Sequence, residues 1–296
     1  MTHQKHTSYA RYAEHLPAAL IMALVIIFFL YFFFRTPVPS AFSQTASVSM
    51  ATDTPLISPD EQSVPQELLG RAQLSFAGGT PGRNKNIELG VARIDGTVIG
   101  PGEEFSFAKE LGEVREEDGF SEEKIFLNGE VSKGLGGGLC QVSTVLFQSV
   151  LDSALPVTER HNHTYTVSYY DLGLDATFAD PGPNLRFLND TAHPITIKGT
   201  AEHDVVVFEI YGVKDGRIAS TSEPVISQIV DFPPTRYVEV TEMPKDHPEC
   251  INTPQIGYTS TVNYEILYAD GEKKEQVFAS TYRPLQRVCY VLAAIR

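Results

Sequence analysis

The stretch Gly136-Gly137-Gly138-Leu139-Cys140 places a thiol directly behind three glycines and at the start of an apolar-periodic segment. A cysteine at a helix N-terminus faces the positive end of the macrodipole, which favours the thiolate and lowers its pKa below the free value of ~8.5. Adjacent glycines let a substrate backbone come close and leave N–H groups available to an oxyanion. His163 follows twenty-three residues on, and Asp175 twelve further. Nucleophile, base and orienting carboxylate run in this order in transglutaminase-like and papain-type enzymes, an analogy of order and element type, since both intervals here are short. The candidate catalytic residues are therefore Cys140, His163 and Asp175, with Gln141 as an oxyanion donor. Gly136, Gly137, Gly138 and His161 are the candidate substrate-binding residues.

Each of these residues also has a structural reading. Free cysteine is among the most buried residue types. His161 competes with His163 for the role of base, and Asp175 can form a turn or cap with Thr177. Gln141 can be an exposed helix residue, while Ser143 and Thr144 suit helix packing better than nucleophilic attack. Zinc held by Cys140, His161 and His163 is a weaker option, because a lone His-x-His without paired cysteines is common. Phosphate binding at the glycines lacks the Gly-Lys-Ser/Thr that should follow, and no cofactor is expected.

The elements that must position these groups read as follows. Asn86 to Ile94 suggests a short helix and Glu104 to Phe107 a strand. Leu139, Val142, Val145, Leu146, Val150 and Leu151 recur at helical spacing before Pro156, a helix with one buried stripe. His163 to Tyr170 alternates and is rich in Tyr, Thr and Val, which predicts a strand. Asn184–Leu188, Ile195–Lys198 and Asp204–Tyr211 predict three more, giving an α+β domain with a largely antiparallel sheet. Beyond Ser220, two alternating runs joined by Asp270-Gly271 predict a hairpin in a small all-β module. Cys250 and Cys289 are economically assigned to a disulfide, with Cys140 left as a free thiol.

A net charge of −14 and the lack of any Lys/Arg cluster exclude a phosphate-tracking surface, so nucleic acid is not an expected partner. Leu16 to Phe34 runs 19 residues without a charge, which matches the ~20 needed to span a bilayer and exceeds the ~7–15 of a signal-peptide core. The expectation is a membrane anchor, with residues 1–15 cytoplasmic and the rest outside, where a disulfide can persist. Residues 35–65, rich in Ser, Thr, Ala and Pro, read as a stalk.

Pro101-Gly-Glu-Glu-Phe-Ser-Phe107, Lys133-Gly-Leu-Gly-Gly-Gly-Leu-Cys-Gln-Val-Ser-Thr144, Glu159-Arg-His-Asn-His-Thr-Tyr-Thr-Val-Ser-Tyr-Tyr170, Gly173-Leu-Asp-Ala-Thr177 and Asn184-Leu-Arg-Phe-Leu-Asn189 stand in one order over about two-fifths of the chain. Together they resemble the vancomycin-resistance-W (VanW) family. Asn162 and Thr164, which flank His163, depart from residues common there. The resemblance implies an envelope or peptidoglycan context and a link to glycopeptide resistance, with no agreed activity.

The expected architecture is α+β: a central helix bearing Cys140 on a mostly antiparallel sheet, transglutaminase- or papain-like, with a small all-β C-terminal domain and one N-terminal transmembrane helix. The expected division is 16–34 transmembrane helix, 66–219 VanW-like domain and 220–296 all-β module. Two functions are carried forward. One is a cysteine-dependent acyl-transferring or amide-hydrolysing enzyme acting on peptidoglycan or envelope peptides, and the other is a non-catalytic peptidoglycan-binding or scaffolding protein.

Overall fold

In the computed structural model of the chain, the structure describes residues 65–127, 130–243 and 249–293. Three α-helices form among them: α1 (Pro81–Ile94), α2 (Phe107–Leu111) and α3 (Leu139–Asp152). Helix α1 begins five residues before the sequence suggests, because the Thr80 hydroxyl caps it by accepting from the Arg83 N–H at 3.3 Å and Pro81 occupies its first turn. It buries Ile87, Gly90, Val91 and Ile94, one stripe at three- and four-residue spacing. Helix α3 is buried on nearly every side, including Ser143, Thr144 and Ser149, and so lies inside the molecule.

Among the described residues the strands divide among five sheets. One holds β1 (Glu67–Ser75), β9 (Val205–Gly212), β8 (Ile195–Glu202) and β2 (Val98–Ile99), in that order. A second holds β3 (Glu104–Ser106), β7 (Arg186–Leu188) and β6 (Val157–Glu159). The hairpin β4 (Glu122–Leu127) and β5 (Glu130–Leu135) stands apart just before α3. In the C-terminal part, β14 (Gly257–Leu267) pairs along its length with β15 (Lys273–Tyr282), as the Asp270-Gly271 turn predicts, and on its other edge with β10 (Ile218–Thr221) and β11 (Val225–Val230). Last, β16 (Val288–Leu292) lies parallel to β12 (Arg236–Val240) and antiparallel to β13 (Cys250–Ile251). Cys250 and Cys289 face each other in that small sheet and are joined by a disulfide.

These findings correct the expected architecture. The described residues are mainly antiparallel β in several small sheets with three short helices, and among them no papain-like central helix on one broad sheet is found. Sequence patterning overstates the main sheet, because the run His163–Tyr170 is not a strand. Its polar groups are taken by side chains instead of a ladder: the His163 N–H donates to Asp175 Oδ2 at 2.7 Å and the Thr166 hydroxyl to Tyr258 Oη at 3.0 Å. The expected transmembrane helix is not among the elements found. Residues 16–34, and most of the stalk, lie outside the described residues, and among the described residues no helix is long and apolar enough to cross a membrane.

Residues Gln62–Arg296 form one compact unit. Val262, Tyr264, Ile266 and Phe278 of the C-terminal hairpin belong to the same buried cluster as Phe147, Leu151 and Leu155 around α3. Phe147 and Phe278 meet edge to face at 5.3 Å, an arrangement that adds attraction beyond the area they bury. The Tyr264 hydroxyl sits 3.2 Å from the carbonyls of Leu151 and Leu155, fastening the hairpin to the end of α3 and the turn that follows it. The hairpin therefore braces the back of the helix whose front carries Cys140.

Candidate active site

Cys140 is the second residue of α3, and Gly138 is its N-cap with φ 117°, a conformation that L side chains rarely adopt. A Cβ on Gly138 would also fall 2.9 Å from Ile87 Cγ1. The turn is fastened by Asn86, whose Nδ2 donates to the Gly137 carbonyl at 3.1 Å and to the Ser121 carbonyl at 3.0 Å. Gly138→Ala is expected to lower stability by about 2 kcal/mol or more, read as the denaturation midpoint, and to slow alkylation of Cys140 as the helix start shifts.

Cys140, His163 and Asp175 come together. His163 hydrogen-bonds the Cys140 sulfur, and its Nδ1 lies 2.5 Å from Asp175 Oδ2. The Phe178 N–H points at the same sulfur from 3.5 Å, and the Phe178 carbonyl lies 3.4 Å from it. Side chains of α3 set this register: the Thr144 hydroxyl accepts from the Ala176 N–H at 3.0 Å, and Ser143 donates to the Ala176 carbonyl at 2.6 Å. Ser143 and Thr144 thus hold the Asp175 segment against the helix that bears the thiol. The Thr177 N–H, donating to the His161 carbonyl at 2.8 Å, ties in the loop that carries His163.

The electrostatics follow from these contacts. Burial opposes ionisation of Cys140, but the hydrogen bond and charge of His163, the Phe178 N–H and the Arg83 guanidinium outweigh it and hold the thiol pKa below its ordinary value. Burial likewise opposes charging of His163, yet Asp175 and Cys140 carry its pKa up to about 9. Asp175, also penalised by burial, is held below the usual carboxylate range by His163, Tyr282 and Arg160. These shifts favour the ion pair of a thiolate and an imidazolium, with a carboxylate behind it.

The carboxylate is itself held in place. Arg160, with its side chain 3% exposed, donates from Nη2 to Asp175 Oδ1 at 3.2 Å, from Nη2 to the Gly173 carbonyl at 3.0 Å and from Nη1 to the Ser280 hydroxyl at 2.7 Å. Its guanidinium lies over the rings of Phe147 and Phe278, 5.5 and 6.0 Å from their centroids. The Tyr282 hydroxyl donates to Asp175 Oδ1. Tyr169 approaches from the other side, its hydroxyl 3.4 Å from His163 Nε2, and stays protonated because burial and then the Cys140 charge push its pKa well up.

The other candidates fare differently. Gln141 is buried and its amide is occupied: Nε2 donates to the Ser75 carbonyl at 3.0 Å and Oε1 accepts from Arg83 Nη2 at 2.9 Å. It orients Arg83 and does not point an N–H at the sulfur. Gly136, Gly137 and Gly138 are buried against their own chain, Gly137 so near Glu123 that a Cβ would fall 2.7 Å from its Cβ. His161 is exposed and turns its ring to Glu159 at 3.1 Å, so the three ligands of the zinc alternative are not brought together.

A cavity of ≈ 350 Å³ has a lining that includes Ser75, Thr80, Arg83, Lys124, Gln141 and Tyr169, and it reaches the catalytic candidates through Gln141, next to Cys140 in the chain, and Tyr169, which touches His163. Sequence reasoning missed Arg83, Arg160, Tyr169 and Tyr282. For Arg160 a signal existed, since a charged residue stands inside the Glu159-to-Tyr170 motif next to the histidines. None existed for Tyr282, which lies 107 residues from Asp175.

Comparison with known proteins adds the following. Residues 82–211 match the family described as VanW like protein. The chain is 36% identical over 143 residues to the uncharacterized protein YoaR of Bacillus subtilis (strain 168), covering 48% of this chain and 47% of that protein. It is 27% identical over 134 residues to the vancomycin B-type resistance protein VanW of Enterococcus faecalis (strain ATCC 700802 / V583), covering 44% of this chain and 49% of that one. The chain thus aligns with about half the length of these curated relatives. No solved structure matches.

Proposed function

We propose that the chain, whose residues 82–211 match the family described as VanW like protein, is a cysteine-dependent acyl-transferring or amide-hydrolysing enzyme acting on peptides of the cell envelope. The observation that carries this reading is the connected series from the Cys140 sulfur through His163 to Asp175, backed by Arg160 and Tyr282. A cysteine kept only for packing needs neither a charged imidazole nor a carboxylate braced by a buried arginine. The enterococcal relative is named a vancomycin B-type resistance protein, the resemblance to its family implies an envelope context, and the disulfide fits an oxidising compartment.

The steps follow from the geometry. The Cys140 thiolate attacks the carbonyl carbon of an amide, and the C–S bond forms as the carbonyl π pair moves to oxygen. The N–H of Cys140, in the first turn of α3 where backbone donors lack helical partners, faces the developing oxyanion. The oxyanion collapses and the C–N bond breaks while imidazolium Nε2 gives its proton to the leaving amine, with Asp175 holding Nδ1–H. The thioester is then attacked by water or an acceptor amine, whose proton passes to His163, and the sulfur leaves as thiolate with the imidazolium restored. Water yields hydrolysis and an amine yields transfer.

The direct test is to incubate the full chain with soluble peptidoglycan fragments and look by intact-protein mass spectrometry for an acyl adduct on Cys140. The expected result is a hydroxylamine-labile adduct that is absent from Cys140→Ser. If the folded protein binds the fragments with no adduct and no product, the enzyme reading is wrong and the binding-module reading replaces it.

A further inference from the structure

The cavity lined by Arg83, Gln141 and Tyr169 carries a charge arrangement with no role in the proposed reaction. Among the described residues, the other partly buried arginines each meet a carboxylate: Arg93 with Asp118, Arg160 with Asp175, Arg186 with Glu104 and Arg217 with Asp190. Arg83 is partly buried, lines the cavity, and among the described residues has no carboxylate within ion-pair distance. Its Nη2 is steadied by Gln141 Oε1 at 2.9 Å, and Gln141 in turn is fixed by the Ser75 carbonyl, so the guanidinium is held in one orientation without being neutralised. Lys124 adds a second positive charge to the lining and Glu123 one negative charge. Arg83 also lies close enough to Cys140 for its charge to act on the thiol, and Tyr169 lines the cavity while touching His163.

A planar guanidinium with free donors, lining a cavity and near enough to a nucleophile for its charge to act on it, matches a carboxylate better than any neutral group. We infer that Arg83 seats a carboxylate of the substrate in this cavity, so that the peptide cleaved or transferred at Cys140 carries a free carboxylate next to the reacting amide. This builds on the enzyme reading and narrows its substrate class to peptides bearing a carboxylate, either terminal or on a side chain. Gln141, which the sequence suggests as an oxyanion donor, becomes the positioning residue for Arg83.

Two probes test this on the full chain. Iodoacetate and iodoacetamide differ by a carboxylate against a neutral amide, so the ratio of their rates at Cys140 reads anion recognition and cancels changes in thiolate content. The ratio is expected to exceed that of a free thiol and to fall roughly tenfold or more in Arg83→Gln, with Arg83→Lys in between. Independently of the nucleophile, an NMR titration of the Cys140→Ser protein is expected to show N-acetyl-dialanine binding in preference to its C-terminal amide, a preference lost when Arg83→Gln is added. If Arg83→Gln changes neither the ratio nor the peptide preference, the inference is overturned while the thiolate stands. If both reagents leave folded Cys140 untouched, the enzyme reading fails, and the titration alone upholds or overturns the carboxylate site.

Discussion

Replacing His163 by alanine is expected to slow alkylation of Cys140 at pH 6 by roughly a hundredfold, because the thiol returns toward its free pKa of ~8.5 and is then almost wholly protonated. In the native protein the thiol pKa lies below its ordinary value, so thiolate persists to lower pH than it would without His163. The sign for the imidazole is the opposite. Its pKa is raised to about 9, so the general acid is available throughout the neutral range and is lost as pH rises through about 9. Alkylation, which needs only thiolate, is expected to persist above pH 9, while turnover that needs a proton for the leaving amine declines there. Measuring both across pH 5 to 10 on one preparation separates the two groups. A thiol that stays inert at every pH in the folded protein removes the nucleophile assignment altogether.

The second large effect is expected at Asp175. Its side chain is 1% exposed and accepts from the His163 backbone N–H at 2.7 Å, from His163 Nδ1 at 2.5 Å, from Arg160 at 3.2 Å and from Tyr282. Asp175→Ala strands the Arg160 guanidinium in the interior with its charge uncompensated, and breaking such a buried pair costs about 3–5 kcal/mol. Asp175→Asn keeps the shape but removes the charge and the acceptor that fixes the His163 tautomer. Turnover is then expected to fall roughly 10³- to 10⁴-fold, as when the orienting carboxylate of a serine-protease triad becomes an amide. Chemical denaturation of the two variants distinguishes the roles. A stability loss in both variants, smaller in asparagine because its amide oxygen can still accept from Arg160 and Tyr282, with both inactive, is the pattern expected of a residue that orients and also holds a charge. Equal stability losses with unimpaired alkylation would reduce Asp175 to a structural anchor.

The contacts on Asp175 also bear on how far the functional unit extends. The family match ends at residue 211, yet Tyr282 and the Ser280 that receives Arg160 both lie on β15. The wall behind the carboxylate is built by the C-terminal hairpin, through the same cluster in which Phe278 meets Phe147.

The sequence by itself determined the features that depend on neighbours along the chain. The periodicity from Leu139 to Leu151 marks a helix, and the helix runs Leu139–Asp152 with Cys140 in its first turn behind a positive-φ glycine. The alternating runs around Asp270-Gly271 mark a hairpin, and β14 and β15 pair there through ten registered positions. Cysteine parity pairs Cys250 with Cys289. Only the tertiary structure decided the rest, because burial and long-range hydrogen bonding override local preference. His163–Tyr170 has strand composition, yet it forms a loop because Asp175 takes the His163 N–H that a ladder would have used. Gln141, adjacent to the thiol in sequence, is turned to Ser75 and Arg83 by the helix geometry, so that adjacency does not become chemistry. Arg83 and Tyr282, 57 residues before and 142 after Cys140 in the numbering, reach Cys140 and Asp175 respectively because the folded core brings α1 and β15 around α3, a convergence with no periodic trace in the sequence.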